Sequence, residues 1–206
     1  MYDYAELARY RRMVAEHYAV VRASDDPAAA AHRFRTERDR LFLNHPLSAL
    51  TETARANFQG IPYAGYDPAW RFVVAVDKDV EPEAISGELP EGPISYQRIG
   101  RAHFTAPTGE AGVLSLFWIL GYGGGVFVPF RDATNGYTTY GGGRYLYDTI
   151  KGADLGVSSD AIVLDFNFAY HPSCFYNPRW VCPLAPPENH LAFAVPVGEL
   201  AEAGSR

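Results

Sequence analysis

Apolar residues recur at helical spacing in the first quarter of the chain and at strand spacing after it. Leu7, Tyr10, Val14, His17 and Val21 follow a helical period, which places them on one face of a helix. Ser24-Asp25-Asp26-Pro27 interrupts that period. Asp26 is placed to cap a second helix whose first residue is Pro27, where a missing N–H is harmless. The second helix is predicted to run to about Asn44, with Phe34, Leu41 and Phe42 apolar among charges. His45-Pro46 ends it, and Ser48 to Asn57 predicts a third, short helix.

After Gly60 the texture changes to Pro, Gly, Tyr, Val and Phe, with short apolar runs separated by turn signals. Strands are expected near Trp70–Asp77, Ile94–Gln97, Arg101–Thr105, Val113–Leu120, Val126–Arg131, Arg144–Asp148, Ala161–Phe166 and Leu191–Val197. Short turns between strands favour antiparallel pairing. The fold class is therefore mainly β: an antiparallel β-barrel or sandwich. It carries an N-terminal helical segment (residues 1–57), and the β domain (residues 58–206) ends in a long C-terminal loop rich in Pro and aromatic residues. That loop, residues 167–190, holds five prolines and both cysteines. Its aromatics make an ordered cover across one end of the sheet the better reading, either functional or simply closing the barrel.

Composition narrows the function classes. With 206 residues, 48% of them hydrophobic, the chain can build a sizeable core. A net charge of −6 argues against nucleic acid. Arg33, Arg35, Arg38 and Arg40 do cluster, but Glu37 and Asp39 interleave them, which reads as a solvated helix face. No window approaches the ~20 apolar residues of a membrane helix. The start of the chain lacks a signal-peptide pattern. A cytoplasmic protein is expected, with a small organic ligand as partner, no nucleic acid, no membrane, and homo-oligomers allowed.

Polar residues concentrate between Asp132 and Glu199. In Ala161–Phe168, alternation puts Val163, Asp165 and Asn167 on one face and Ile162, Leu164, Phe166 and Phe168 on the other. A buried carboxylate needs a cation or a raised pKa. Arg144 is the expected partner of Asp165, with Asp132 as the second acid within reach, since arginine meets carboxylates through two parallel hydrogen bonds. Such a pair either fixes strand register or works as an acid/base beside an anion-binding arginine. Tyr140-Gly141-Gly142-Gly143 lacks the ending of a phosphate loop and reads as a tight bend before Arg144.

Cys174 and Cys182 stand between His171 and His190. Packed thiols, a disulfide pinning the loop, or a zinc site would each use them, but the spacing is not a recognised zinc pattern and no metal is expected. Serine-elbow, zinc-protease and dinucleotide motifs are missing, so no cofactor is called for.

Phe58-Gln59-Gly60-Ile61-Pro62-Tyr63, Tyr66-Asp67-Pro68-Ala69-Trp70-Arg71, Asp132-Ala133-Thr134, Thr139-Tyr140-Gly141-Gly142-Gly143-Arg144-Tyr145-Leu146, Leu164-Asp165-Phe166-Asn167 and the Cys174–Asn189 loop together resemble the domain of unknown function 1684 family of bacterial and archaeal proteins. The resemblance runs from about Arg35 to Glu199. It implies a shared polar design without assigning an activity. Two positions depart from it: His171 stands where the family looks to carry asparagine, and His190 where it looks to carry arginine. A shared metal site is thereby disfavoured.

The expected site is a pocket at the mouth of the β domain. Arg144 would hold an anionic or carbonyl group, and Asp132 or Asp165 would act as acid or base. Tyr140 and His171 would relay protons, and Asn167, Tyr170, Thr134, Thr139, Tyr145, Cys174 and Asn189 would line the ligand. Cofactor-independent lyase, isomerase or cyclase chemistry suits such a set. The alternative is a non-catalytic module in which these residues are scaffolding and Tyr2, Tyr4, Leu7, Tyr10 and Tyr18 dock a partner.

Overall fold

The computed structural model describes residues 3–89, 92–158 and 160–201. Helix α1 spans Tyr4–Arg22, with the Asp3 carboxylate accepting from the amides of Ala5 and Glu6. Helix α2 spans Pro27–Asn44, capped by Asp26 with Pro27 in its first turn, as the sequence predicts. Helix α3 is only Glu52–Ala56. No helix among the described residues is long and apolar enough to cross a membrane.

Seven antiparallel strands follow: β1 (Arg71–Asp77), β2 (Ala84–Leu89), β3 (Gly92–Thr105), β4 (Ala111–Ile119), β5 (Val126–Phe130), β6 (Arg144–Asp148) and β7 (Ala161–Asp165). Their order is β6-β5-β4-β3-β1-β7, with β2 also on β3, and the sheet curls into a half-barrel. The expected strands Ile94–Gln97 and Arg101–Thr105 are two halves of β3. The register to β4 slips between Arg98 and Gly100. A Cβ on Gly100 would lie 2.6 Å from Val76 Cγ1 and 3.0 Å from the Asp77 carbonyl oxygen, so the bulge needs glycine and breaks the apolar pattern. Strand β2 was missed because Ala84-Ile85-Ser86-Gly87-Glu88 is short of β-branched residues.

Leu191–Val197 is not a strand. It keeps strand alternation, with Leu191, Phe193, Val195 and Val197 buried and Ala192, Ala194 and Pro196 exposed. Pro196 has no N–H; the Leu191 amide and Phe193 carbonyl pair with the backbone of Arg131 and Ala133, while the side chains of Asp132 and Arg144 take the Val195 amide and the Val195 and Val197 carbonyls.

Helices and sheet share one core. Val14 and Tyr18 of α1 and Ala31, Phe34 and Leu41 of α2 pack with Trp70, Phe104, Leu116, Phe130, Leu164, Phe166 and Phe193. Of the tyrosine stripe on α1, Tyr4 is exposed but Tyr18 is buried in that core. Tyr2 lies outside the described residues. The expected solvated face of α2 is also corrected at one position. Arg38 is buried, because Phe34, Arg38, Leu41 and Phe42 share the stripe facing the sheet.

Candidate functional site

A cleft of about 60 Å³ lies among α1, α2, the end of β6 and the long loop, lined among others by Tyr10, Tyr18, Arg38, Tyr145, Lys151, Tyr170, His171 and Tyr176. At one side stands Glu199, whose side chain is fully buried. Its Oε1 accepts from Arg38 Nε at 2.7 Å and the Tyr63 hydroxyl at 3.2 Å. Its Oε2 accepts from the Tyr176 hydroxyl at 2.6 Å and the His171 amide at 2.7 Å. Burial pushes this carboxyl up, but Arg38, His171 and these hydrogen bonds outweigh it and hold it below the usual carboxylate range.

Arg38 is held from three sides. Its guanidinium lies 4.7 Å from the Phe42 ring centroid and 5.0 Å from that of Tyr170, while Nε is taken by Glu199. The two terminal nitrogens make no hydrogen bond among the described residues. Burial alone would lower the Arg38 pKa; Glu199 reverses that and raises it. Nearby, the Tyr18 hydroxyl is buried without a partner, and burial raises its pKa. Lys151, at the cleft, pairs with Asp148 at 3.0 Å.

His171 completes the hub. Its Nε2 accepts the Tyr140 N–H at 3.2 Å, and Nδ1 stands 3.6 Å from Glu199 Oε2. Accepting at Nε2 places the proton of the neutral ring on Nδ1, facing the carboxylate. Burial pulls its pKa down to about 4.

Behind this hub, Asp132 and Arg144 meet at 2.8 Å with both side chains fully enclosed. Arg144 also donates to the Val195 carbonyl at 2.8 Å and to that of Val197. Asp132 Oδ1 accepts from the Thr134 amide at 2.8 Å, the Thr134 hydroxyl at 2.6 Å and the Val195 amide at 3.2 Å. Thr134 and Thr139 hydroxyls share a 2.7 Å bond. These four residues lace the 191–199 segment to the loop before β6. Burial lowers the Arg144 pKa, against Asp132. The bend leading into Arg144 needs Gly143, at φ +93, whose Cβ would come 2.5 Å from the Phe130 carbonyl oxygen.

The expected Asp165–Arg144 pair does not form. Strands β6 and β7 are opposite edges of the sheet. Asp165 instead sits opposite Arg71 in the β1–β7 register and lies 3.7 Å from its Nε. Asn167 donates to Asp165 at 2.9 Å and zips to the backbone of Asp67 through two 2.8 Å bonds. Burial raises the Asp165 pKa despite the Asn167 bonds and Arg71, and it pushes the neighbouring Tyr66 hydroxyl up to about 12. A second cleft, of about 260 Å³, opens here between Arg22, Arg71, Asp165 and Phe168.

The remaining expected residues separate. Tyr145, Tyr170 and His171 line the first cleft. Tyr140 and Cys174 form a thiol–phenol contact of 3.8 Å, and both cysteines are free. Asn189 joins β4 to β5 by bonding Ser115 N at 2.7 Å, Ser115 O at 3.0 Å and Pro129 O at 2.7 Å. No group of three metal-ligating side chains occurs among the described residues.

Arg38, Glu199, Tyr18 and Tyr176 are the side chains that sequence reasoning missed. A signal existed. Arg38 continues the Phe34–Phe42 stripe, and Glu199 continues the alternation Leu191, Phe193, Val195, Val197. Two opposite charges, each on a buried register, point to each other.

A family model described as "Protein of unknown function (DUF1684)" matches residues 56–200. The chain belongs to this family. It is also similar to the solution NMR structure of an uncharacterized protein from Haloarcula marismortui, at 31% identity and a TM-score of 0.62, covering 85% of this chain and 95% of that one. No curated protein matches the chain. In this DUF1684 member the matched span includes Glu199 and His171 but not Arg38, which lies before its start.

Proposed function

We propose that the cleft over Arg38 binds a small organic acid. One observation carries this reading: Arg38 is oriented by Glu199 and by two aromatic rings, yet its terminal nitrogens face no protein acceptor. That fork suits a carboxylate, met by two parallel hydrogen bonds. The tyrosines and Phe42 supply apolar walls with polar tips. About 60 Å³ is room for a few waters, or for a carboxylate with a short body.

Acid/base chemistry of the lyase, isomerase or cyclase type falls in this reading to Tyr18. Its hydroxyl is unpartnered and, with a raised pKa, is a proton donor rather than a base at neutral pH. Glu199 orients Arg38, and His171 helps hold Glu199 through its backbone amide. A scaffolding role fits a different set. Asp132, Arg144, Thr134 and Thr139 bond one another and the backbone in an enclosed network, with only the Arg144 Nε among the guanidinium nitrogens left without a partner.

The test is ligand-observed NMR with carboxylates of rising size, each paired with its amide. Binding of acids but not amides, weakened by Tyr18→Phe and by Arg38→Lys, supports the reading. Equal response to acid and amide, or none from either, ends it. Tyr18→Phe removes an unpartnered hydroxyl and should fold normally, so lost binding in that variant is not lost structure.

A further inference from the structure

Arg71 and Asp165 stand opposite each other in the β1–β7 register, so their side chains leave the sheet on the same face. Both line the second cleft, of about 260 Å³, which the Arg38 reading does not use. The end of α1 forms its other side with Val21 and Arg22, and Val163 and Phe168 add apolar wall. That volume is room for several waters, or for one small organic molecule.

The charges in this cleft do not satisfy one another. Asp165 Oδ1 accepts twice from Asn167, from its amide at 3.1 Å and from Nδ2 at 2.9 Å. Oδ2 has only Arg71 Nε, at 3.7 Å, which is beyond hydrogen-bond reach. Among the described residues Oδ2 accepts no hydrogen bond, although the side chain is only 3% exposed. Arg71 donates none, and with 37% of its side chain exposed its guanidinium is open to a solute. Arg22 gives Nη1 to the Asp154 carbonyl and keeps Nε and Nη2 free.

Burial raises the Asp165 pKa, so the ionised carboxyl is kept at a cost to the fold. Such an acid, in a cleft and with one oxygen unbonded, has the properties of a binding group for a cation. Arg71 beside it has donors to spare for a carboxylate. A ligand that answers both carries an ammonium and a carboxylate on one carbon.

We propose that this cleft binds a free α-amino acid with an apolar side chain. Its ammonium group donates to Asp165 Oδ2, and its carboxylate lies on the Arg71 guanidinium, with Arg22 as a second cation nearby. Its side chain rests against Val21, Val163 and Phe168. A hydroxy acid fits less well, because a neutral hydroxyl brings no counter-charge to the buried carboxylate.

The experiment is isothermal titration of the full chain with L-alanine, L-valine and L-phenylalanine, each compared with its N-acetyl and amide derivatives. At least one free amino acid should bind, and neither of its derivatives should. Asp165→Asn should weaken that binding at least about tenfold, the loss of a charge-assisted hydrogen bond. It still offers Asn167 an acceptor, so lost binding is not lost structure. Arg71→Gln, at an exposed position, should weaken binding by about as much. No heat from any free amino acid, equal binding of an N-acetyl derivative, or full affinity in Asp165→Asn would each overturn the proposal. Tyr18→Phe separates the two clefts. Amino-acid binding that survives this change supports the second site, whereas binding lost here and kept in Asp165→Asn would move the ligand to the first cleft and end the proposal.

Discussion

Arg38 and Glu199 are 161 positions apart in the chain and 2.7 Å apart in the fold. The pair ties α2 to the last described residues of the chain away from bulk solvent, since the Glu199 side chain is fully buried and Arg38 nearly so. Two ions in such a place are tolerable only together. Arg38→Met should therefore destabilise the protein by about 3–5 kcal/mol in urea unfolding, through the uncompensated carboxylate left behind. Adding Glu199→Gln should recover much of that loss, because the second substitution removes the stranded charge. Additive losses in the double variant would show that the two side chains do not act as a pair.

His171 gives the fold a pH signature. Burial holds its folded pKa near 4, below its unfolded value of about 6.5. Between those values the unfolded chain binds a proton that the native ring does not, so stability falls as pH drops. The loss is roughly 3 kcal/mol by pH 4, counting about 1.4 kcal/mol per unit. Glu199 is also held below its ordinary range, so its own contribution is lost as pH falls from the ordinary carboxylate range toward its folded pKa. Melting temperatures from pH 7 to 4 should fall less steeply in His171→Asn than in the wild type. Parallel curves would remove His171 as the cause.

Asp165 works with the opposite sign. Burial raises its folded pKa, so the ionised group weakens the fold at neutral pH and that penalty fades as pH falls through the folded pKa toward the unfolded value. Asp165→Asn keeps an acceptor for Asn167 and removes the buried charge. It should melt higher than the wild type at pH 8, with the gap closing toward pH 4. A variant that melts lower at pH 8 would show that Arg71 governs the site.

Much of the fold was legible because local rules and burial agreed. Asp26-Pro27 opens α2 as its chemistry requires, and the strands from β4 to β7 fall where apolar runs meet turn signals. The failures at the site share one kind of cause: partners distant in sequence. Arg144 was rightly given a carboxylate, but the choice between Asp132 and Asp165 depended on strand order, which puts β6 and β7 at opposite edges. Leu191–Val197 has a strand's alternation, but its pairing with backbone stops at Phe193; beyond it Arg144 and Asp132 take the Val195 and Val197 carbonyls and the Val195 amide. Arg38 looked solvated among neighbouring charges, since its partner lies at the other end of the chain.

Arg144 is the last prediction and separates architecture from binding. Its guanidinium joins Asp132 to the carbonyls of Val195 and Val197, a geometry that needs planar, divergent donors. An ammonium group offers one point of charge instead. Arg144→Lys should accordingly destabilise the fold by about 3–5 kcal/mol, close to the effect of breaking the pair outright. The loss should be local first: with the lacing gone, limited proteolysis should cut between Leu191 and Glu199 before the strands are touched. Because Glu199 ends that segment, its release would also free Arg38 and abolish acid binding in the cleft. Cleavage elsewhere, with the 191–199 segment still protected, would mean that Arg144 is not what holds it.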